Sequence, residues 1–245
     1  MREKYSYMLS SLESMNIKLS GHKLKQFDDF YNMLVETNKV MNLTGITEFD
    51  EVCKLHFVDS LSIAKYVDMS GNLKVIDVGT GAGFPGIPLK IAFPNLNIVL
   101  LDSLNKRLKF LDEVIEKLGL NDEGSIETLH GRAEDYSMPK EGSLRESFDL
   151  AVSRAVANMS TLSELCLPYV KVGGQFIAYK SEKALEELER AKGAIHLLGG
   201  KLESCEEFLL PDTDVGRSLC FIYKREPTSK KYPRKAGTPA KKPLK

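Results

Sequence analysis

Three glycines at alternate positions, Gly79, Gly81 and Gly83, directly follow the apolar run Val75-Ile-Asp-Val78. Glycine turns through φ > 0 and leaves room for a ligand where a Cβ would stand. After a strand, such a loop lies at the carboxyl edge of an open α/β sheet, where ligands bind. Two cofactors compete for it. The dinucleotide fingerprint G-x-G-x-x-G is met by Gly81, Gly83 and Gly86, but it starts two residues late; counted from Gly79, Phe84 fills the third glycine position. Asp77 stands inside the turn. A carboxylate there repels a pyrophosphate and attracts the cationic amino group of S-adenosylmethionine, directly or through water. Asp102 does not discriminate, because an acid at the end of the second strand grips ribose hydroxyls in either cofactor. The balance favours S-adenosylmethionine over NAD.

Other polar residues fall on the same edge. Ala133 and Glu134 follow the third strand, where an acid or a backbone amide reads an adenine edge. Arg154 ends the fourth strand, facing the expected reaction centre, and can fix a carboxylate or a phosphate. Lys180, ending the fifth strand, is a weaker candidate, equally readable as a snorkelling surface lysine. His56 lies one turn from Asp59 and Ser60 and is either a polar patch near the cofactor mouth or a structural histidine. No nucleophile elbow or catalytic triad appears. The cysteines, Cys53, Cys166, Cys205 and Cys220, form no CxxC pair or Cys/His cluster, so neither a metal site nor a disulfide framework is expected.

Elements of alternating type must position these residues. The first 70 residues read as helices, over 21–38 and about 50–67. Strands follow at 74–78, 97–101, 126–130, 148–153 and about 172–180, separated by helices from Gly86 to before Pro94 and at 105–118, 158–167 and 182–198. A strand pair, about 201–209 and 218–224, closes the pattern as a hairpin, and 135–147 reads as a loop. Short apolar strands alternating with helices predict an α/β fold: a Rossmann-like, mostly parallel seven-stranded sheet with helices on both faces. The expected division is a helical extension (1–70), a Rossmann-like domain (71–224) and a basic tail (225–245).

Composition fits a globular chain with a real core: 245 residues, 42% hydrophobic and 28% charged. No apolar run is long enough to span a bilayer, and the first residues lack a secretory pattern, so the cytoplasm is expected. The formal net charge is zero, but residues 224–245 hold nine basic residues and one acid. This tail looks like a local device for contacting phosphates and is expected to be poorly ordered until something binds it.

Taken together, several segments resemble one family, the bacterial small-subunit ribosomal RNA guanine-N7 methyltransferases (RsmG, earlier glucose-inhibited division protein B). They are Asn42-Leu-Thr44, His56-Phe-Val-Asp-Ser-Leu61, Asp77-Val-Gly-Thr-Gly-Ala-Gly-Phe-Pro-Gly-Ile-Pro88, Leu101-Asp-Ser103, Lys106-Arg107, Phe110-Leu111, Gly131-Arg-Ala-Glu134, Ser153-Arg-Ala-Val-Ala157 and Lys231-Tyr-Pro-Arg-Lys-Ala-Gly-Thr-Pro239. The resemblance spans about residues 20–245. It implies a class I methyltransferase fold and methyl transfer from S-adenosylmethionine to N7 of a guanine in the 530 loop of 16S rRNA, free or in the 30S particle. It implies that Gly79, Phe84, Asp102, Ala133, Glu134 and Arg154 hold the cofactor and that Arg234 and Lys235 touch RNA. Guanine N7 carries a lone pair and no proton, so no general base is required and Arg154 is expected to position rather than to move protons. No metal is expected, and a monomer is the default. The alternatives are an NAD-linked oxidoreductase and a non-catalytic RNA-binding protein. If the tail serves RNA alone, deleting 230–245 spares cofactor binding.

Overall fold

The computed structural model describes residues 1–181 and 184–245. Its first helices are α1 (Ser6–Glu13) and α2 (Gly21–Met41). Local chemistry sets the ends of α2. The Ser20 hydroxyl accepts the Lys23 N–H at 3.2 Å, and Asn42, at φ 51°, closes the helix in the left-handed region. The expected single helix over 50–67 is instead four short pieces. They are α3 (Phe49–Val52), a π-helical turn (Cys53–Val58), α4 (Asp59–Leu61) and a 3-10 turn (Ser62–Lys65). Apolar periodicity does not distinguish these windings, because all of them bury one face. The π turn carries His56 and leads into Asp59, and such turns recur at functional sites.

From residue 74 strands and helices alternate. The order is β1 (Lys74–Val78), α5 (Gly86–Ala92), β2 (Asn97–Asp102), α6 (Asn105–Leu118), β3 (Ile126–His130), α7 (Ala133–Tyr136), β4 (Phe148–Arg154), α8 (Met159–Cys166), β5 (Val170–Lys180), α9 (Ala184–Leu197), β6 (Gly200–Leu209), β7 (Gly216–Lys224) and α10 (Thr238–Lys241). The seven strands lie in the order β3-β2-β1-β4-β5-β7-β6. The first five pair in parallel, while β7 runs antiparallel to both β5 and β6. The order reverses beside β1, which puts a crevice at the carboxyl ends of β1 and β4. The short α7 occupies the start of the expected loop 135–147. Residues 182–183, the expected start of the ninth helix, lie outside the described residues.

Alternation along the strands gives the sheet two apolar faces. Val75, Leu100 and Val152 face one core, shared with α5, α6 and the N-terminal helices. Ile76, Leu101 and Ala178 face the other, covered by α8 and α9. Phe27, Phe30 and Phe57 are fully buried in the first core beside Ile87 and Leu111, so residues 1–70 have no core of their own.

The basic tail is folded, contrary to the expectation of poor order. Arg145 donates to the carbonyls of Tyr232 (2.7 Å), Ser229 (3.2 Å) and Thr228. Thr161 donates to Pro239 O at 3.2 Å, and Tyr232 and Leu244 pack on the second core. Backbone carbonyls held by one arginine are invisible to composition, which is why the charge count misled.

Candidate active site

The loop between β1 and α5 forms the floor of a cavity of about 430 Å³. Gly79 and Gly81 have φ of 75° and 61°, in the left-handed region that side chains disfavour. A Cβ on Gly79 would stand 2.6 Å from Val156 Cγ2, so the strand-four loop and the glycine loop touch only because Gly79 has none. Asp102, 5% exposed, ties the loop to β2. Its Oδ2 accepts the Gly81 N–H at 3.0 Å and its Oδ1 accepts the Leu104 N–H at 2.8 Å. Gly79, Asp102, Ser103 and Val156 also line a smaller cavity of about 110 Å³ that reaches Ala133 and Glu134. One trough thus runs from the glycines past Asp102 to α7, long and polar enough for an adenosyl group with an amino-acid arm.

Asp77 departs from its expected role. It lies fully buried beneath the loop and off the cavity wall. Its Oδ2 accepts the Thr80 hydroxyl at 2.7 Å and the Gly86 N–H at 2.9 Å, while Oδ1 has no partner among the described residues. Burial pushes its pKa up to about 6. Asp77 therefore pins the loop from below instead of meeting a ligand. The strand's alternation explains this: Asp77 points to the α5 side while its neighbours face α8.

Arg154 anchors the other wall. Its Nη1 donates to Asp59 Oδ2 at 2.9 Å and to Leu55 O at 3.1 Å, and its Nη2 lies against His56 Nδ1. Arg217 Nε reaches the other Asp59 oxygen at 3.2 Å. His56 Nδ1 lies 3.1 Å from both Arg154 Nη2, which only donates, and Leu55 O, which only accepts, and Nε2 lies 2.8 Å from Thr44 Oγ1, so both ring nitrogens are engaged. Burial, reinforced by Arg154, lowers the His56 pKa to about 3. His56 is thus a neutral wall, stacked on Phe84 with ring centroids 4.4 Å apart. The Arg154 guanidinium carbon lies 5.1 Å from the same ring, a cation–π distance. Phe30 packs on the same ring with centroids 5.4 Å apart, so Phe84 is held by His56, Arg154 and Phe30 where it lines the cavity.

The first cavity thus gathers Gly79, Phe84, Asp102 and Arg154, and the second Ala133 and Glu134. Lys180 sits apart, donating to Ala157 O at 2.6 Å and to Glu187 at 2.7 Å. Glu134 is shared with the tail, since its Oε1 accepts the Gly237 N–H at 2.8 Å. Arg234 is engaged inside the fold. Its Nε and Nη2 grip the fully buried Glu164 at 2.9 and 2.6 Å, and its backbone N–H adds another bond at 2.8 Å. Lys235, the other residue expected to touch RNA, is exposed. Sequence reasoning missed Thr44, Arg145, Glu164 and Arg217. Only Thr44 carried a local signal, through its place in Asn42-Leu-Thr44. Among the described residues no cluster of His, Cys, Asp or Glu could hold a metal, and no helix is long and apolar enough to cross a membrane.

Comparison with known proteins agrees with this architecture. The family model described as GidB, rRNA small subunit methyltransferase G, matches residues 23–215. The chain is 52% identical over 239 residues to the ribosomal RNA small subunit methyltransferase G of Lachnoclostridium phytofermentans, covering 98% of this chain and 97% of that protein. It is 50% identical over 233 residues to the same-named protein of a Geobacillus species, covering 95% and 96%. Among solved structures, the fold is shared with a putative sarcosine dimethylglycine methyltransferase from Galdieria sulphuraria (TM-score 0.52, 14% identity, 73% of this chain and 88% of that one). A predicted O-methyltransferase from Agrobacterium tumefaciens is similar (TM-score 0.51, 17% identity, 69% and 80%). These structural likenesses speak to the fold, while the sequence matches speak to lineage. A class I methyltransferase sheet, a glycine-floored trough and near-complete alignment with these relatives converge: the chain belongs to the rRNA small subunit methyltransferase G family.

Proposed function

We propose that this protein transfers the methyl group of S-adenosylmethionine to N7 of a guanine in the 530 loop of 16S rRNA. It would act as a cytoplasmic monomer. The observation that carries the target atom is that, among the described residues, the two acceptors packed on Arg154 at the trough wall are already engaged. His56 is neutral with Nδ1 occupied, and Asp59 lies between two arginines. N7 needs no free proton acceptor. A hydroxyl or an exocyclic amine would lose a proton as it is methylated. Bound in the trough, S-adenosylmethionine supplies an electrophilic methyl group on a cationic sulfur.

The residues supply position. Gly79 and Gly81 leave room along the floor, Asp102 offers oxygen to ribose hydroxyls, and Ala133 and Glu134 border the adenine end. Phe84 and Arg154 fix the wall past which the acceptor nitrogen approaches. The N7 lone pair forms the new N–C bond as the C–S pair returns to sulfur, and positive charge moves to the purine. Alignment and exclusion of water are the available sources of rate. Residues 1–70 then cap the trough, 71–224 perform the transfer, and exposed tail bases such as Lys235 and Lys231 meet phosphate.

The test is methyl transfer from labelled S-adenosylmethionine to naked 16S rRNA and to undermethylated 30S particles, with the modified base mapped. One N7-methylguanine in the 530 loop is the expected product. Label on another atom, or on neither substrate despite cofactor binding, removes the proposal. The oxidoreductase and non-catalytic alternatives have no observation in their favour.

A further inference from the structure

A second cavity, also of about 430 Å³, lies against the first. The two share His56, Arg154 and Ala155 as a common wall. It opens beyond the ends of β4 and β5, on the side away from the adenine end of the trough. Its size suits one nucleotide and is in the range of small-molecule sites. Ile46 and Leu55 offer apolar surface and Arg217 a cation. Asp59, also in its wall, is already neutralised by Arg154 and Arg217.

Glu187 differs from Asp59. Its Oε2 accepts two bonds, from Lys180 Nζ at 2.7 Å and from the Met159 N–H at 3.0 Å. Its Oε1 has no partner among the described residues, and the side chain is 35% exposed. The carboxylate is therefore fixed through one oxygen, and the residue lines the cavity with its other oxygen unpaired among the described residues.

We infer that this cavity receives the acceptor guanine, splayed out of the RNA, and that Glu187 reads its N1–H and 2-amino edge; the inference rests on the guanine-N7 reading above. An ionised carboxylate only accepts hydrogen bonds. Guanine presents two adjacent donors on that edge, whereas adenine presents the N1 lone pair and is repelled. Single-stranded RNA bases are commonly read on this edge once splayed. With the edge held at Glu187, the opposite, N7-bearing side of the purine turns toward the wall shared with the trough. The same carboxylate opposes the positive charge that methylation places on the ring. Glu187 thus serves as a specificity residue and favours N7 attack.

The experiment compares 530-loop RNA with the same RNA carrying inosine at the target position. Inosine keeps N7 and N1–H but lacks the 2-amino group. Wild-type protein is expected to methylate the inosine RNA with kcat/KM about 10- to 100-fold lower, the worth of one hydrogen bond to a charged acceptor. Glu187→Gln is expected to lose a similar factor on guanosine RNA and most of the discrimination, with S-adenosylmethionine affinity by calorimetry unchanged. Equal wild-type rates on both RNAs overturn the pocket whether or not the variant folds. Wild-type discrimination that survives in Glu187→Gln overturns the assignment to Glu187. Absence of N7 methylation of guanosine RNA by wild type defeats the parent reading first, and the pocket with it.

Discussion

Replacing Arg234 by alanine removes three charge-assisted contacts from a carboxylate that has no exposure to solvent. Glu164 accepts at both oxygens from the guanidinium and keeps only the Arg234 backbone N–H, at 2.8 Å, after the change. Stripping one partner from a buried ion pair costs about 3–5 kcal/mol, chiefly because the remaining charge is stranded. The surviving N–H bond and the partial exposure of Arg234, 25%, let water reach the gap and favour the lower end. About 3 kcal/mol in a chain of this size lowers Tm by roughly 6–12 °C. Thermal unfolding followed by circular dichroism measures it. Adding Glu164→Gln should recover a large part of the loss, since a neutral amide tolerates burial better. The tail of Arg234→Ala should also be cut faster by trypsin. An unchanged Tm, with RNA affinity reduced and the salt slope lowered by about one, would instead mark Arg234 as a phosphate contact and refute the reasoning.

Three further outcomes follow from the same contacts. Deleting 230–245 removes the Gly237 N–H from Glu134, so S-adenosylmethionine affinity should fall several-fold together with RNA affinity; calorimetry showing intact cofactor binding would restore the simpler view of the tail as an RNA arm alone. Arg154→Lys keeps the charge but cannot reach Asp59, Leu55 and His56 together, so single-turnover methyl transfer should slow by about 10- to 100-fold, and a wild-type rate would remove its positioning role. His56 is neutral in the fold down to about pH 3, while the unfolded chain takes up a proton near pH 6.5. The unfolded state therefore binds more protons between these values, and stability from this group is lost as pH falls through that window. His56→Gln should lose less stability than wild type between pH 7 and pH 4 in urea titrations; parallel losses contradict the assignment.

The strands β1 to β4 and the helix α6 were legible because each is fixed by its own residues. Apolar runs end at glycine or proline, and Leu108, Leu111, Ile115 and Leu118 mark one buried face before Gly119, at φ 60°, stops the helix. The glycine loop was legible for the same reason, since alternate glycines after a strand have few other uses. The π turn at Cys53–Val58 was not, because helical windings that bury one face leave the same apolar pattern.

Charge partners were the least legible of all. Asp59 and Arg154 stand 95 residues apart, and Glu164 and Arg234 stand 70 apart; nothing local joins either pair. Sequence alone treats a lysine as a surface residue. Yet Lys224, counted within the basic tail, is fully buried, its Nζ donating to Leu167 O and Thr228 Oγ1. Lys90 is buried as well, filling the carbonyls of Leu96 and Pro94 at 2.8 and 2.5 Å. Local conformation depends on neighbours a few residues away, so the sequence by itself determined the elements, their order and the glycine floor. A charged group settles where opposite charge or bare carbonyls await it, and only the tertiary structure decided which cations face phosphate and which hold the fold.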